Sequence, residues 1–177
     1  QGTYYPIGGF NEVIQGLVAL ATEKGVKIKT NSEVQEVVVK NSKANGLKVN
    51  GTIHLFDAVV AGADYHHVEQ KMLPENLRNY TSKYWEKREM APSSLLFYLG
   101  VDKKLENVNH HTLFFDEDFD EHAKEIYDNP SWPKSPLFYM SCASITDDTI
   151  APKGMENLMI LIPLAPGLDD NEKMKRE

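Results

Sequence analysis

The sequence predicts an α+β protein, in which a helix leads into a β-meander and a mixed or antiparallel sheet with flanking helices follows. Three observations predict this class. Apolar residues recur at helical spacing between residues 11 and 24. Short alternating segments punctuated by Asn-Gly pairs then run from about residue 33 to 56. After residue 92, four apolar segments rich in Leu, Phe, Tyr and Met read as strands.

The first elements are a strand, a turn and a helix. Tyr4 and Tyr5 predict a short strand, and the Gly8-Gly9 pair after them predicts a turn into the helix over 11–24, with Gly25 just beyond its end. A helix N-terminus can bind an anion. However, neither G-x-G-x-x-G nor a P-loop lysine accompanies this pair, so a turn is the favoured interpretation.

The meander is predicted from alternation and turn chemistry. "VKIK" at 26–29 and "EVQEVVV" at 33–39 each predict a strand. The pairs Asn45-Gly46 and Asn50-Gly51 predict hairpin turns, because both residue types tolerate positive φ. Residues 58–63 are small and apolar on both faces, which predicts a strand buried inside a parallel or mixed sheet.

The second half of the sequence has a different pattern of predicted helices and strands. "YHHVEQKMLPENLRNYTSKYWEKREM" predicts helix in two pieces broken at Pro74, and "DFDEHAKEIYD" predicts a further helix. The strands are "SSLLFYLGV", "HTLFF", "PLFYMSCAS" and "NLMILIPLA". The change near residue 65 predicts a domain boundary, with 1–65 on one side and 66–177 on the other. The ending "DDNEKMKRE" reads as an unfinished helix, and with the opening on Gln1 it indicates a fragment.

Composition excludes several classes of function. A formal net charge of −7 and a pI near 5.4 argue against a nucleic-acid partner. Cys142 is the single cysteine, so no internal disulfide forms; it is interpreted as a core thiol, and the cytoplasm is the expected compartment. No apolar run reaches the roughly 20 residues that span a bilayer.

No catalytic or metal motif stands out. The pairs His66-His67 and His110-His111 point apart on a regular helix or strand, so no metal site is predicted. The acids of 116–125 lack EF-hand spacing, and no G-x-S-x-G surrounds a serine. The remaining signal is an aromatic and Met-rich set of strand residues, which is either an ordinary core or a long apolar binding surface. Its candidates for lining a substrate are Phe97, Tyr98, Phe114, Phe138 and Met140.

Several segments in order resemble the middle of a bacterial-type phytoene desaturase, of the FAD-dependent carotenoid desaturase family within the flavin amine-oxidase-like superfamily. They are "YYPIGGF", "GVKIKTNSEVQEVVV", "AVVAGADYHH", "SSLLFYLGVDKKLENVNHHTLFF" and "LFYMSCASITDDTIAPKG". The first three are shared across the superfamily, whereas "NHHTLFF" and residues 146–154 are more specific to carotenoid desaturases.

The resemblance implies part of a two-domain FAD-dependent oxidoreductase that introduces double bonds into a phytoene-like polyene by hydride transfer to flavin. It implies that Val34 passes the adenine of FAD, and that Ala61, Gly62, Ala63 and Asp64 return to the cofactor sheet. Residues from about 66 onward would face the hydrocarbon. The dinucleotide motif and the C-terminal flavin motif of such enzymes lie outside this chain, so the fragment alone is expected to be inactive.

The resemblance also implies a cytoplasmic protein peripheral to the membrane, because phytoene is a bilayer solute. "NYTSKYWEKREM" is a candidate membrane contact, although packing at a domain interface is the preferred interpretation. Two alternatives stay open: a stand-alone hydrophobic-ligand or interaction module, and a sibling flavin oxidoreductase or carotenoid isomerase. The electron acceptor, the number of desaturations and the oligomeric state are not predicted.

Overall fold

The computed structural model describes residues 4–170 and confirms the α+β class. By its internal contacts the chain divides into two compact units. One joins Gln1–Glu23 to Met90–Glu177, and we call it the sheet unit; the other is Lys24–Glu89, the meander unit. The unfinished helix predicted in "DDNEKMKRE" falls almost entirely outside the described residues. No helix in 4–170 is long and apolar enough to cross a membrane.

The sheet unit is built on four antiparallel strands. They are β4 (Ser93–Val101), β5 (His111–Phe114), β6 (Phe138–Ser141) and β7 (Glu156–Leu164), and their order in the sheet is β4-β7-β6-β5. All four were predicted, and the structure confirms them. The long β4 and β7 pair along their whole length, from Ser93 opposite Leu164 to Val101 opposite Glu156.

Two helices accompany this sheet, and both were predicted. The helix α1 spans Asn11–Glu23, and Gly25 follows it at φ 81°. The helix α4 spans Phe119–Tyr127 and begins at Asp118, whose carboxylate accepts the backbone N–H of Asp120 at 2.8 Å. The apolar side of α1 stays exposed among the described residues; its exposed members are Val13, Ile14, Leu17, Val18 and Leu20.

The meander unit contains the predicted β-meander, formed by β1 (Val34–Lys40), β2 (Lys43–Val49) and β3 (Thr52–Leu55). The predicted Asn50-Gly51 turn joins β2 to β3, with φ of 46° and 81°. The turn between β1 and β2 is instead Asn41-Ser42, with φ of 52° and 59°.

The prediction of a turn at Asn45-Gly46 is wrong, because both residues lie inside β2. Val38 pairs with Gly46 and Val39 pairs with Ala44, so Asn45 is the extra residue of a β-bulge. A side chain on Gly46 would collide with the carbonyl oxygen of His54 on β3. Glycine is therefore required here by the close approach of two strands.

Helical turns complete the meander unit. A short helix α2 (Tyr65–His67) continues as a π-helical turn over Val68–Met72, and the break at Pro74 occurs as predicted. A 3₁₀ turn (Glu75–Leu77) and the helix α3 (Ser82–Glu86) follow. The aromatic residues of the candidate membrane contact pack on one another: Tyr80 stacks on Tyr84 at 4.1 Å, and Trp85 packs edge-on against both.

Three predicted strands are absent from the described residues. Residues 4–5, 26–29 and 58–63 form no ladder and are largely exposed, with Val60 at 95 %. A strand needs a neighbour to satisfy its backbone groups, and the described chain supplies none to these segments. Each of these segments has the sequence pattern of a strand, but within residues 4–170 none has a neighbouring strand with which to form a ladder.

Candidate functional site

A cleft of about 650 Å³ on one face of the four-stranded sheet is the candidate functional site. The segment after residue 4 forms one wall through Tyr5, Gly9 and Phe10. The floor comes from the sheet, and its main side chains are Tyr98, Tyr139, Ser141 and Met159. Most of this lining is apolar, with few polar groups, which is the usual character of a site for an apolar ligand.

Strand register explains why these side chains converge. Tyr98 on β4 lies opposite Met159 on β7, Met159 lies opposite Ser141 on β6, and Ser141 lies opposite His111 on β5. Opposed residues of antiparallel strands share a face. One row therefore crosses all four strands on what we call the cleft face.

The neighbouring row holds most of the predicted substrate-lining residues and occupies the opposite face. It runs from Phe97 through Ile160 and Met140 to Thr112. Phe114 and Phe138 pair with each other two positions further along their strands, so they lie on this same face. Their rings stack with centroids 4.4 Å apart. The structure thus separates Tyr98 from the other four candidates, and their contact with a substrate stays a prediction.

Two histidines are the polar groups at the β5 side of the cleft. His110 Nδ1 lies 2.6 Å from Thr146 Oγ1, and His111 Nδ1 lies 2.6 Å from the hydroxyl of Tyr139. The two imidazole rings are 4.3 Å apart. The ring of Tyr5 packs edge-on against His110 at 4.7 Å. Burial, and secondly the nearby His111, lower the pKa of His110, so the neutral ring is favoured.

Regular strand alternation predicts that adjacent histidines lie on opposite faces, so this pair was not expected from the sequence. His110 precedes β5, which begins at His111, so strand alternation does not apply to it. The one available signal was the "NHHTLFF" motif itself. Among residues 4–170, no cluster of three His, Cys, Asp or Glu side chains is arranged to hold a metal ion.

The wall of the cleft is fixed by Asp147, a buried carboxylate at 2 % exposure. It accepts the Gly8 N–H at 2.6 Å, and the Thr149 hydroxyl and N–H at 2.6 and 3.0 Å. The Tyr5 hydroxyl donates to it as well. The bonds from Thr149, then the bond from Gly8, hold the pKa of Asp147 below its usual range. Burial, and then the Asp147 charge, raise the pKa of Tyr5.

The Gly8-Gly9 pair is a turn, as predicted. The Gly9 N–H donates to the Pro6 carbonyl at 2.9 Å, and φ is 91° at Gly8 and 85° at Gly9. The Gly8 N–H is already bound to the chain's own carboxylate, Asp147. The pair therefore shapes the wall of the cleft instead of holding a phosphate.

A second buried carboxylate, Glu156, lies at the start of β7. It accepts the Ser144 hydroxyl at 2.5 Å and pairs with Lys104 at 3.2 Å. The Ser144 bond outweighs burial and, with Lys104, lowers the pKa of Glu156. Cys142 is fully buried beside this group, with Sγ 3.7 Å from Ser144 Oγ, which confirms its interpretation as a core thiol.

The predicted cofactor-binding residues lie in the meander unit. Val34 opens β1 opposite Val49, whereas Ala61, Gly62 and Ala63 are exposed and outside any ladder. The Asp64 carboxylate accepts the His67 N–H at 2.7 Å and caps α2. No reaction step is assigned to these residues. Their contact with the cofactor stays a prediction.

Comparisons with known proteins agree with this architecture. The family model for flavin containing amine oxidoreductase matches residues 1–177. The chain is 42% identical over 176 residues to a carotenoid 3,4-desaturase of Haloarcula japonica, covering 99% of this chain and 36% of that protein. It is 33% identical over 168 residues to a 4,4'-diapophytoene desaturase of Staphylococcus haemolyticus, covering 92% of this chain and 33% of that protein.

A more distant match is a phytoene desaturase of Fusarium fujikuroi, 30% identical over 179 residues, with 99% of this chain and 31% of that protein covered. The chain thus spans about a third of the length of these relatives. A solved oxidoreductase structure from Methanosarcina mazei matches with a TM-score of 0.66 at 20% identity, covering 97% of this chain and 36% of that one. That likeness shows the fold.

Proposed function

The chain belongs to the flavin-containing amine oxidoreductase family, and we propose that it is the central part of an FAD-dependent carotenoid desaturase. The proposed reaction converts C–C to C=C bonds in a long polyene of the phytoene type. When bound, the flavin would accept the hydride. The names of the relatives support the substrate class, since carotenoid, phytoene and diapophytoene desaturases are among them.

The observation that carries the proposal is the apolar cleft on the sheet. A hydrocarbon offers nothing to hydrogen-bond, so it is held by area, at ~25 cal/mol per Å² of apolar surface removed from water. The cleft supplies such area through Phe10, Tyr98, Tyr139 and Met159. We assign the polyene to this cleft. The proposed reaction needs no nucleophile from the protein, because the redox chemistry belongs to the cofactor.

The domain roles follow from the same proposal. We retain the boundary near residue 65 as part of the proposal, with 1–65 towards the cofactor and 66–177 towards the substrate, except that Tyr5, Gly9 and Phe10 line the substrate cleft. The peripheral membrane location also belongs to it. The stretch containing Tyr80, Tyr84 and Trp85 is a weak candidate for the membrane contact, because these rings pack within their own unit.

The test uses the complete protein encoded by the reading frame that contains this chain. We expect the purified protein to show a bound-flavin absorption spectrum and to desaturate phytoene supplied in liposomes. Absence of flavin, or flavin without conversion of any carotenoid, would refute the assignment.

A pair of variants locates the substrate. Met159→Lys places a charge in the cleft and should reduce conversion more than tenfold at retained flavin content, because burying an unpaired charge is costly. The control, Leu55→Lys, adds the same charge on β3, where Leu55 is 76% exposed. Equal loss of conversion in both variants would contradict the placement of the substrate.

A further inference from the structure

The two histidines of the cleft leave one nitrogen each for a ligand. His110 and His111 use Nδ1 to contact Thr146 and Tyr139, respectively. Within residues 4–170, neither Nε2 has a hydrogen-bond partner. Both residues line the cleft, whose other walls are mainly apolar. A ligand that fills the cleft therefore meets two polar atoms of adjacent rings.

The partner of His110 determines which of its nitrogens carries the proton. The Thr146 hydroxyl lies 3.2 Å from the Ala143 carbonyl and donates to it. A hydroxyl has a single proton, so while Thr146 donates to Ala143 its Oγ1 accepts from His110 Nδ1–H across the 2.6 Å contact. Nε2 of the neutral His110 ring then has a lone pair and accepts hydrogen bonds.

The partner of His111 gives the opposite result. The Tyr139 hydroxyl lies 2.6 Å from His111 Nδ1 and contacts no other acceptor among the described residues, so we assign its proton to this contact. In a neutral imidazole that accepts at one nitrogen, the other carries the proton. Nε2 of His111 is then a donor, and the pair presents one acceptor beside one donor.

We propose that His110 and His111 bind a hydroxyl group on an otherwise apolar, extended ligand. The ligand hydroxyl donates to Nε2 of His110 and accepts from Nε2–H of His111. A carbonyl or ether can only accept, so it would leave His110 unpaired, and an ammonium can only donate. The inference rests on the proposed function, in which this cleft takes a polyene, and it adds that the preferred polyene carries a hydroxyl.

The apolar cleft makes this recognition selective. A ligand that fills the cleft removes water from the histidines, and a polar group that loses water without gaining a partner is unfavourable. A hydrocarbon of the same length would desolvate both nitrogens and pair neither. We therefore expect a polyene alcohol to bind about tenfold more tightly than the matching hydrocarbon.

The first measurement concerns the tautomers and needs no ligand. Long-range ¹⁵N–¹H correlation spectra of the histidine side chains in the full chain, near neutral pH, should show His110 protonated at Nδ1 and His111 at Nε2. The reverse assignment for either residue would overturn the proposal, because the donor and acceptor would no longer match a hydroxyl.

The second measurement compares ligands. A conjugated polyene alcohol and its hydrocarbon of equal carbon number are titrated, in detergent, into the full chain and two variants. His111→Phe should reduce the preference to less than twofold, with hydrocarbon affinity retained. The control His67→Phe changes an exposed histidine of the meander unit and should keep the preference.

The outcomes separate the two claims. Equal binding of alcohol and hydrocarbon to the unaltered chain would overturn the hydroxyl site and leave the proposed function intact. Binding of neither ligand would refute the assignment of the cleft to a polyene, and the hydroxyl site with it. A preference that survives His111→Phe would show that the hydroxyl is bound elsewhere.

Discussion

Asp147 and Glu69 are both buried carboxylates that accept several hydrogen bonds from their own chain, yet they organise the molecule at different ranges. Glu69 binds the N–H groups of Asn79 and Tyr80 and the indole N–H of Trp85, all within sixteen residues. Asp147 reaches Gly8, 139 residues away. The first carboxylate stabilises a local segment, whereas the second joins distant parts of the sheet unit and shapes the cleft.

Both carboxylates are ionised more easily than usual, for related reasons. Burial acts to raise the pKa of Glu69, but the bonds from Asn79, Trp85, Tyr80 and Tyr65 together lower it. In Asp147 the bonds from Thr149 and Gly8 outweigh burial. The two pKa shifts share a direction, but Asp147 has a partner, Tyr5, that lines the cleft.

The largest effect is expected at Glu69. Glu69→Ala leaves the Asn79 and Tyr80 N–H groups and the Trp85 indole without their acceptor in a partly buried setting. Hydrogen exchange should show protection at Asn79 and Tyr80 reduced by about thirtyfold, while polyene binding is unaffected. Glu75→Ala, an exposed change in the same segment, is the control. Loss of polyene binding in Glu69→Ala would break the distinction between the two carboxylates.

The next largest effect is expected at Asp147, where polyene binding, which Glu69→Ala leaves unaffected, should weaken. Asp147→Asn replaces one acceptor oxygen with an amide NH₂, which opposes the N–H of either Gly8 or Thr149. The wall formed by Tyr5 and Gly9 should loosen, and polyene affinity should fall about tenfold. Asp148→Asn, the exposed neighbour, is the matched control. Equal affinity in both variants would show that Asp147 does not position the wall.

Gly8→Ala tests the turn that Asp147 holds. Its φ of 91° is unfavourable for alanine, and the added Cβ would lie 2.7 Å from Cγ of Glu12. Denaturant unfolding should show a loss of about 1 kcal/mol in the free energy of unfolding. Gly16→Ala in α1, where nothing lies within 4 Å, should instead stabilise by about 0.5 to 1 kcal/mol. A Gly8→Ala protein as stable as wild type would contradict this backbone geometry.

The smallest expected effect is the pH dependence of the contribution that Asp147 makes to stability. Because the pKa of Asp147 is lowered in the folded state, its contribution to stability is present above the unfolded pKa, roughly 3.9, and is lost as pH falls through the folded value. The difference in unfolding free energy between wild type and Asp147→Asn should therefore be constant above about pH 5 and shrink as the pH falls below about 4. Glu69 is present in both proteins, so its own titration cancels. A constant difference would exclude a role for the Asp147 charge.

Much of this fold could be predicted from sequence, because its signals are local. Helical spacing marked α1, alternation marked the strands of the meander, and Asn50-Gly51 marked a hairpin. The failures depended on distant partners. Within residues 4–170, residues 58–63 have no strand to pair with. Asn45 lies at a bulge, and its neighbour Gly46 is approached closely by β3.

The cleft was less predictable than the fold. Aromatic strand residues were identified, but a shift of one position decides which face a side chain occupies, so Tyr98 was grouped with Phe97. Asp147 and Asp148 are adjacent acids in the sequence, and the structure distinguishes them by the burial of Asp147 and its bonds from Gly8 and Thr149. To predict that the two histidines lie together, the first residue of β5 would have to be known, and sequence patterns locate strand ends poorly.

Photo-crosslinking tests the central claim most directly. A polyene that carries a diazirine is irradiated with the protein, and the labelled residues are identified by mass spectrometry. The account predicts labels on the cleft face, at Tyr98, Tyr139 or Met159, and a loss of labelling in Met159→Lys. Labels confined to the opposite face, at Phe97, Met140 or Ile160, or to the meander unit, would contradict it.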